Sequence, residues 1–331
     1  MIAMLSVSTY ASQLTTLANI QRNQSDFDRL SRQVATGVKS DDLSDFSAVD
    51  AQRLLNGDKE VQRLEAYNKG IDIVTPRLKL YSQQVERMDT LAKTVASALS
   101  GVDSYSGATQ VQLGTLIDNT LRDLNALLND RVDGRYLWAG GNYASQPVGD
   151  LTALPDLAAP AAFTPVADPA LPDYYAAAPG SDANAWVEAG FSPEAGKSVE
   201  YGQVASAPAI QELINALRLV KSGLNAAAAA GSTAAAETAF AGFRTEALSQ
   251  LTEARSGIKQ MSSEIAMDLA SITDSAKANK AAINLFVDEQ GKIVNVDTAE
   301  AGVKLSQVKT QLEATYKITA SLSQTSLVNY I

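Results

Sequence analysis

The chain has 331 residues, a formal net charge of −10 at pH 7, and neither cysteine nor histidine. The absence of those two residue types excludes thiolate nucleophiles, histidine-based triads and ordinary zinc sites. The acidic balance disfavours nucleic acids and anionic membrane surfaces as partners. Aromatic residues are only 6 % of the chain and alanine is abundant, which favours long helices over stacked sheets. No apolar run approaches the roughly 20 residues of a membrane-spanning helix.

The first predicted element is an N-terminal helix with a narrow apolar stripe that glutamines interrupt. Its positions are Tyr10, Leu14, Leu17, Gln21, Gln24, Phe27, Leu30 and Val34. Gly37 is expected to end the helix, and Ser40, Asp41 and Asp42 to begin a turn. Because the stripe is too narrow to form a core, we expect segment 1–45 to order only on assembly.

The strongest periodic signal is an unbroken pattern of about six heptad repeats. Apolar residues recur every seven positions, with a second set offset by three: Leu64, Ile71, Leu78, Val85, Ala92 and Leu99, then Tyr67, Val74, Tyr81, Met88, Val95 and Val102. This spacing predicts a coiled-coil seam. Pro76 falls at an outward heptad position, so a kink there would leave the seam intact.

Three more amphipathic helices are predicted from stripes at helical spacing. Their residues are Val111, Leu116, Leu121, Leu124 and Leu128; Ile210, Leu213, Leu217, Val220 and Leu224; and Leu251, Ile258, Ile265 and Ile272. Nine of the ten prolines lie between Pro147 and Pro208. We therefore predict a long antiparallel helical bundle or coiled-coil rod from segments 46–142 and 208–285, with a small inserted domain of short strands and loops at 143–207.

The C-terminal segment, 286–331, is predicted to hold a linker and a second assembly helix. Asn284–Val287 and Lys292–Val296 flank a polar turn, which predicts a β-hairpin. Asp297 and Glu300 fit a helix-capping box. The helix that follows has its stripe at Ala301, Leu305, Val308, Leu312, Thr315, Thr319 and Leu322.

No residue pattern indicates catalysis, and we expect no enzyme activity, no cofactor and no metal site. Asp41, Asp42 and Asp45 lack the glycine and terminal glutamate of a calcium loop. Gly140 and Gly141 lack the lysine and serine of a phosphate-binding loop. Arg135, Tyr136 and Trp138 stand where helix gives way to insert. They predict a hydrophobic plug on the bundle end, with a carbohydrate-stacking tryptophan as the alternative.

Three segments, in order, resemble the hook-associated protein 3 family of flagellar junction proteins within the flagellin superfamily. The first is the Ser-Thr opening at Ser6–Tyr10 with the helix that closes at Thr36–Lys39, although the proline of the family's turn is absent. The second is Asp133–Gly141, similar to the family's Gly-Arg-Tyr-Leu-Phe-Ala-Gly segment with Trp138 replacing Phe. The third is the ending Leu322–Ile331. The resemblance covers both flanks, about four fifths of the chain.

The resemblance implies a structural role in motility: a secreted protein in a ring between hook and filament of the extracellular bacterial flagellum. It implies export by the flagellar type III apparatus, a cytosolic export chaperone on the C-terminal helix, and neighbours that are a hook-associated protein and flagellin. The expected assembly interface is Tyr10, Leu14, Leu17, Phe27, Leu30, Leu305, Val308, Leu312, Leu322 and Leu327. The expected rod seam includes Leu64, Ile71, Leu78, Val85, Ile258 and Ile265.

Two alternatives remain open from the sequence. A filament flagellin would differ in copy number and position, although the opening and ending typical of flagellins are absent here. A secreted coiled-coil surface-binding protein would need only the heptads.

Overall fold

A computed structural model of the chain describes residues 2–102, 104–168, 170–176 and 186–324, with side chains described from 14 to 321. The helices are α1 (Ile2–Thr36), α2 (Ala48–Ser100), α3 (Gly107–Leu128), α4 (Pro208–Ala228), α5 (Thr233–Val294) and α6 (Thr298–Gln324). The strands are β1 (Arg131–Val132), β2 (Arg135–Tyr136), β3 (Gly190–Glu194) and β4 (Lys197–Glu200). The predicted fold class, mainly helical with a small β insert, is confirmed.

The chain divides into two compact units. One runs to Arg63 and resumes at Ala281, and the other is Leu64–Lys280. The helices α2 and α5 therefore each contribute to both units. The finer five-segment division expected from the sequence stays a prediction.

In the Leu64–Lys280 unit, four helices alternate in direction. Ion pairs tie neighbours together: Arg255 of α5 to Asp89 of α2 at 2.8 Å, and Arg87 of α2 to Asp123 of α3 at 3.4 Å. Asn215 of α4 donates to Gln250 of α5 at 2.7 Å. With Gly257 of α5 against Ala209, these contacts give an up-down-up-down bundle.

The heptad positions of α2 form the buried centre of this bundle. Leu78, Met88 and Val95 have no solvent exposure, and Pro76 lies on the exposed side of a helix that continues through it. The stripes expected for α4 and α5 are buried throughout. The stripe expected for α3 was wrong at its start. Val111 is 69 % exposed, and Leu113 and Ile117 fill the core instead because α3 turns that face inward.

The segment between α3 and α4 consists of two short hairpins and loops. The turn of β1–β2 has Asp133 and Gly134 at φ 52° and 78°, a conformation that favours glycine in the second place. Val148, Leu151, Tyr174 and Val199 pack into the same hydrophobic core as the four helices. The insert's apolar residues are therefore shared with the bundle.

The predicted hairpin at 284–296 was wrong, because helix α5 continues to Val294. Phe286, Gln290 and Ile293 recur at helical spacing and are half-buried. The Gln290 amide donates to the Leu54 carbonyl at 3.2 Å and to Asp58 at 3.0 Å, on the first turns of α2. Tertiary contacts on a helical period outweigh the β-propensity of the valines and isoleucine.

Candidate assembly surface

Helices α1 and α6 pack against each other in antiparallel fashion. Gln24 of α1 donates to the Tyr316 hydroxyl of α6 at 2.7 Å. Near the other end of the pair, Lys39 N–H donates to the Val294 carbonyl at 2.7 Å, and Val296 N–H donates to the Gly37 carbonyl at 2.9 Å. These two bonds form a short antiparallel bridge between Val38 and Asn295.

Residues beside this bridge determine where α1 ends and where α6 begins. Gly37, at φ 77°, ends α1 in the left-handed conformation that glycine adopts without strain. Asp297 caps α6 by accepting from the Ala299 and Glu300 amides at 2.9 and 3.1 Å. Glu300 does not complete the expected capping box: its carboxylate pairs with Lys304 at 2.6 Å.

The inner face of the pair contains several residues expected at an assembly interface. Leu30 is 5 % exposed and Leu312 is 8 % exposed, and Phe27, Leu305 and Val308 are half-buried. Within one chain these side chains are covered, because each stripe packs against the other when the two helices pair. The expectation that segment 1–45 orders only on assembly stays a prediction.

The outer face of the pair is apolar and uncovered. On α1, Leu14 is 50 % and Leu17 is 54 % exposed; on α6, Val303 is 60 % and Ile318 is 57 % exposed. Val303 lies nine residues before Leu312, which at 3.6 residues per turn puts it on the opposite side of the helix. We call these four residues the outer face of the terminal pair.

Sequence reasoning found only the α1 half of this outer face. On α6, a second and weaker stripe (Val303, Gln307, Thr310, Ala314 and Ile318) has the same spacing of three or four, and all of it is exposed. Polar residues at two of its positions hid the signal. The side chains of Tyr10 and Leu322, and Leu327 altogether, lie outside the described residues.

The predicted plug at the end of the bundle is built around Trp138. Its indole is fully buried, makes an edge-on contact with Tyr81 at 5.4 Å between ring centroids, and donates to Gln84 Oε1 at 2.6 Å. Gln84 Nε2 donates in turn to Asp130 at 2.6 Å, and the Tyr81 hydroxyl donates to the Leu137 carbonyl. Burial raises the pKa of Tyr81 well above its usual value. A buried ring cannot stack on a sugar, so this geometry supports the plug.

The other two junction residues lie at the surface beside it. Arg135 is exposed and Tyr136 is half-buried, in a strand of the β1–β2 hairpin. The seam residues expected on both long helices, Leu64, Ile71, Leu78 and Val85 on α2 and Ile258 and Ile265 on α5, are all buried. They support the bundle and present no surface to a partner.

Among the described residues, no group of three or more acidic side chains is placed to hold a metal ion. No helix in the described ranges combines the length and apolarity needed to cross a bilayer.

No protein-family model and no curated protein matches the chain. Among solved structures, the chain is similar to a Vibrio parahaemolyticus protein provisionally described as a flagellar hook-associated protein. The similarity has a TM-score of 0.46 at 10 % sequence identity and covers 73 % of this chain and 99 % of that one.

Proposed function

We propose that this chain is a structural subunit of the bacterial flagellum that joins hook to filament and polymerises through its paired terminal helices. The proposal rests on the difference in solvent exposure between the two faces of the terminal pair. The inner face, with Leu30 and Leu312, holds the two helices together, while the outer face is left apolar and exposed. The flagellar resemblance of Ser6–Tyr10, Asp133–Gly141 and Leu322–Ile331 supports the assignment.

The apolar area of the outer face is small, so each contact that buries it is weak and several are needed for stable assembly. Complete burial of one leucine, isoleucine or valine side chain stabilises by about 1.5–3 kcal/mol. Leu14, Leu17, Val303 and Ile318 are each only about half exposed, so a single contact gains a fraction of that, against an association cost of several kcal/mol. Closed symmetry gives every subunit two such contacts, so a ring is stable where a dimer is weak.

The proposed partners follow from that role. Copies of this chain form the ring, with a hook-associated protein on one side and flagellin on the other. An export chaperone covers α6 before secretion by the type III route, and the finished protein is extracellular. We propose a non-catalytic role, in which the buried bundle of α2–α5 transmits torque because close-packed helices resist deformation.

The test is a gene deletion with complementation, scored on the flagellum. We expect the null strain to build an intact hook, to shed flagellin into the medium and to lose motility. Immunogold labelling of the complemented strain is expected to mark the hook–filament boundary alone. Labelling along the whole filament, with loss of the bulk filament protein in the null strain, would assign a flagellin instead. Working full-length filaments in the null strain would reject both.

A point variant separates assembly from folding in the same strain. Ile318→Asp places a charge on the outer face, where burial against a neighbour is costly without a partner. We expect it to reproduce the null phenotype while the protein is made and exported at the normal level. The matched control is Asp288→Asn on an exposed part of α5, which should complement fully.

A further inference from the structure

A small surface of stacked arginine and tyrosine side chains lies beside the buried Trp138 plug. The Arg131 guanidinium lies over the Tyr136 ring at 4.8 Å, and the Arg135 guanidinium lies over the Tyr143 ring at 4.4 Å. The Tyr136 N–H donates to the Tyr143 carbonyl at 2.8 Å, which fixes the second stack to the hairpin. We call these four residues the Arg–Tyr surface.

Both guanidinium groups are available to a partner. Each arginine is exposed, and in the part of the chain that the structure describes neither forms an ion pair with a carboxylate. By contrast, nearby Arg77 pairs with Asp133 at 3.7 Å and is largely buried. The Arg131 guanidinium donates to the Gly134 carbonyl at 2.9 Å, on its own turn.

The stacks prepare these arginines for binding. A guanidinium held over an aromatic ring keeps its edge N–H groups free while losing much of its conformational freedom. The two-residue turn at Asp133 and Gly134 holds the hairpin itself. Less ordering entropy then has to be lost when a carboxylate binds. Arginine and tyrosine are also the side chains that most often dominate binding energy at protein interfaces.

The same chain has an acidic face of matching chemistry. Glu188 precedes β3, Glu200 is the last residue of β4, and Glu264 and Asp268 lie one turn apart on α5. Lys197 Nζ donates to Ser275 Oγ at 2.9 Å, and Ser275 Oγ donates to Glu194 at 3.1 Å, so the hairpin packs on α5. In keeping with this placement, burial and then the nearby charges of Glu200, Glu264 and Asp268 raise the pKa of Glu188. Among described residues none of the four forms a salt bridge. Met267, 64 % exposed, is one turn from Glu264 on α5 and adds an apolar contact.

We propose that the Arg–Tyr surface docks on this acidic face of a second copy of the chain. The inference rests on the proposed function and deepens it by adding a subunit contact outside the terminal helices. Two stacked guanidinium groups meet a surplus of carboxylates that lack cationic partners in their own chain, so charge-assisted hydrogen bonds form across the interface. The contact joins unlike surfaces, which is the arrangement that extends around a ring.

The absence of native cysteine allows a direct test with the full chain. One purified population has Ala144→Cys, next to Tyr143, and the other has Met267→Cys; both positions are exposed. The two are mixed, oxidised and analysed on a non-reducing gel. We expect the mixed disulfide dimer to exceed the dimer of Ala144→Cys with Val111→Cys by at least fivefold. Val111, exposed on α3, serves as the control position.

Charge reversal decides whether the named residues make the contact. Arg131→Glu/Arg135→Glu in the first population should reduce the mixed dimer to the Val111→Cys level. Glu264→Lys/Asp268→Lys in the second population should restore it. Arg122→Glu, an exposed arginine on α3, should change nothing. A mixed dimer at control level, or one insensitive to charge reversal, overturns the proposal.

The outcome is separable from that of the proposed function. A specific disulfide dimer together with working filaments in the null strain would reject the flagellar role and keep the contact. A null strain that sheds flagellin, with no specific disulfide, would reject the contact alone. Circular dichroism of each variant shows that the helical bundle is intact, so a lost dimer cannot be attributed to unfolding.

Discussion

The Trp138 indole N–H and the Gln84 side-chain oxygen are 2.6 Å apart in a site where the tryptophan is fully buried and the glutamine nearly so. Gln84, on α2, also holds a second residue of the segment that follows α3, because its amide donates to Asp130. One buried polar side chain beside the apolar seam thereby fixes the segment after α3 to the middle of α2.

Gln84→Ala should lower the free energy of unfolding by about 2 kcal/mol, since the indole N–H and the Asp130 carboxylate both lose a buried partner. Urea unfolding followed by tryptophan fluorescence measures the effect. The matched control is the adjacent, exposed Gln83→Ala, expected within about 0.5 kcal/mol of the parent. Equal effects for the two variants would show that the hydrogen-bonded link is not what stabilises this end of the bundle.

Leu312→Asp and Ile318→Asp should differ in the isolated monomer although they are six residues apart on one helix. Leu312 is buried against α1, so its aspartate is expected to release the terminal pair at a cost of several kcal/mol. Ile318 is exposed, and its aspartate should leave the pair intact. Amide hydrogen exchange of residues 14–36 and 298–321 reports the difference. Identical exchange in the two variants contradicts the assignment of inner and outer faces.

Gly70→Ala should destabilise the second unit by about 1–3 kcal/mol, because an added Cβ would lie 2.3 Å from a ring carbon of Phe191. Phe191→Leu in the same chain should recover part of the loss, which a double-mutant cycle would detect in thermal melts. Gly114→Ala is the control: this glycine is also helical but meets open space. Alanine there should stabilise by about 1 kcal/mol through helix propensity.

The acidic face should make stability depend on pH. Burial, followed by neighbouring carboxylates, raises the pKa of Glu188 and of Asp268 in the folded chain. A carboxyl group whose pKa is raised by folding favours the folded state at low pH, and this contribution is lost as the pH rises through the folded pKa.

Glu188→Gln should therefore raise the unfolding free energy at pH 7 by a few tenths of a kcal/mol, and this gain should disappear near pH 4. Denaturant titrations at both pH values measure it. The comparison is Glu237→Gln, which removes an exposed negative charge elsewhere on α5. A gain for Glu188→Gln that is constant with pH would exclude the ionised carboxylate of Glu188 as its cause.

The heptads of α2 and the stripes of α4 and α5 were predictable because a sustained period involving many apolar residues outweighs any single residue. The end of α5 was not: Ile293 and Val294 favour a strand locally, and only the contacts of Gln290 with Leu54 and Asp58 show why they remain helical. The Val111 prediction failed for another reason: five residues did not fix which face of α3 turns inward, and Leu113 and Ile117 fill the core there.

The assembly surface was only half predictable for a related reason. The sequence pattern shows which residues of a helix are apolar, but the packing of α1 against α6 determines which of them are buried. Leu312 and Leu14 look equivalent in sequence, yet one is buried by α1 and the other is half exposed. The segment Asp133–Gly141, which includes two residues of the Arg–Tyr surface, stood out in the sequence. The contact of Tyr143 with Arg135 is visible only in the structure.

Two backbone hydrogen bonds cross-link the chain segments that adjoin the terminal pair. They join Lys39 to Val294 and Val296 to Gly37. Because these bonds join the segment after α1 to the segment before α6, neither helix can be pulled along its axis without straining them. A tensile load on the pair is consequently shared by two covalent backbones acting in parallel. The bridge between Val38 and Asn295 is therefore the point at which load passes from one backbone segment to the other.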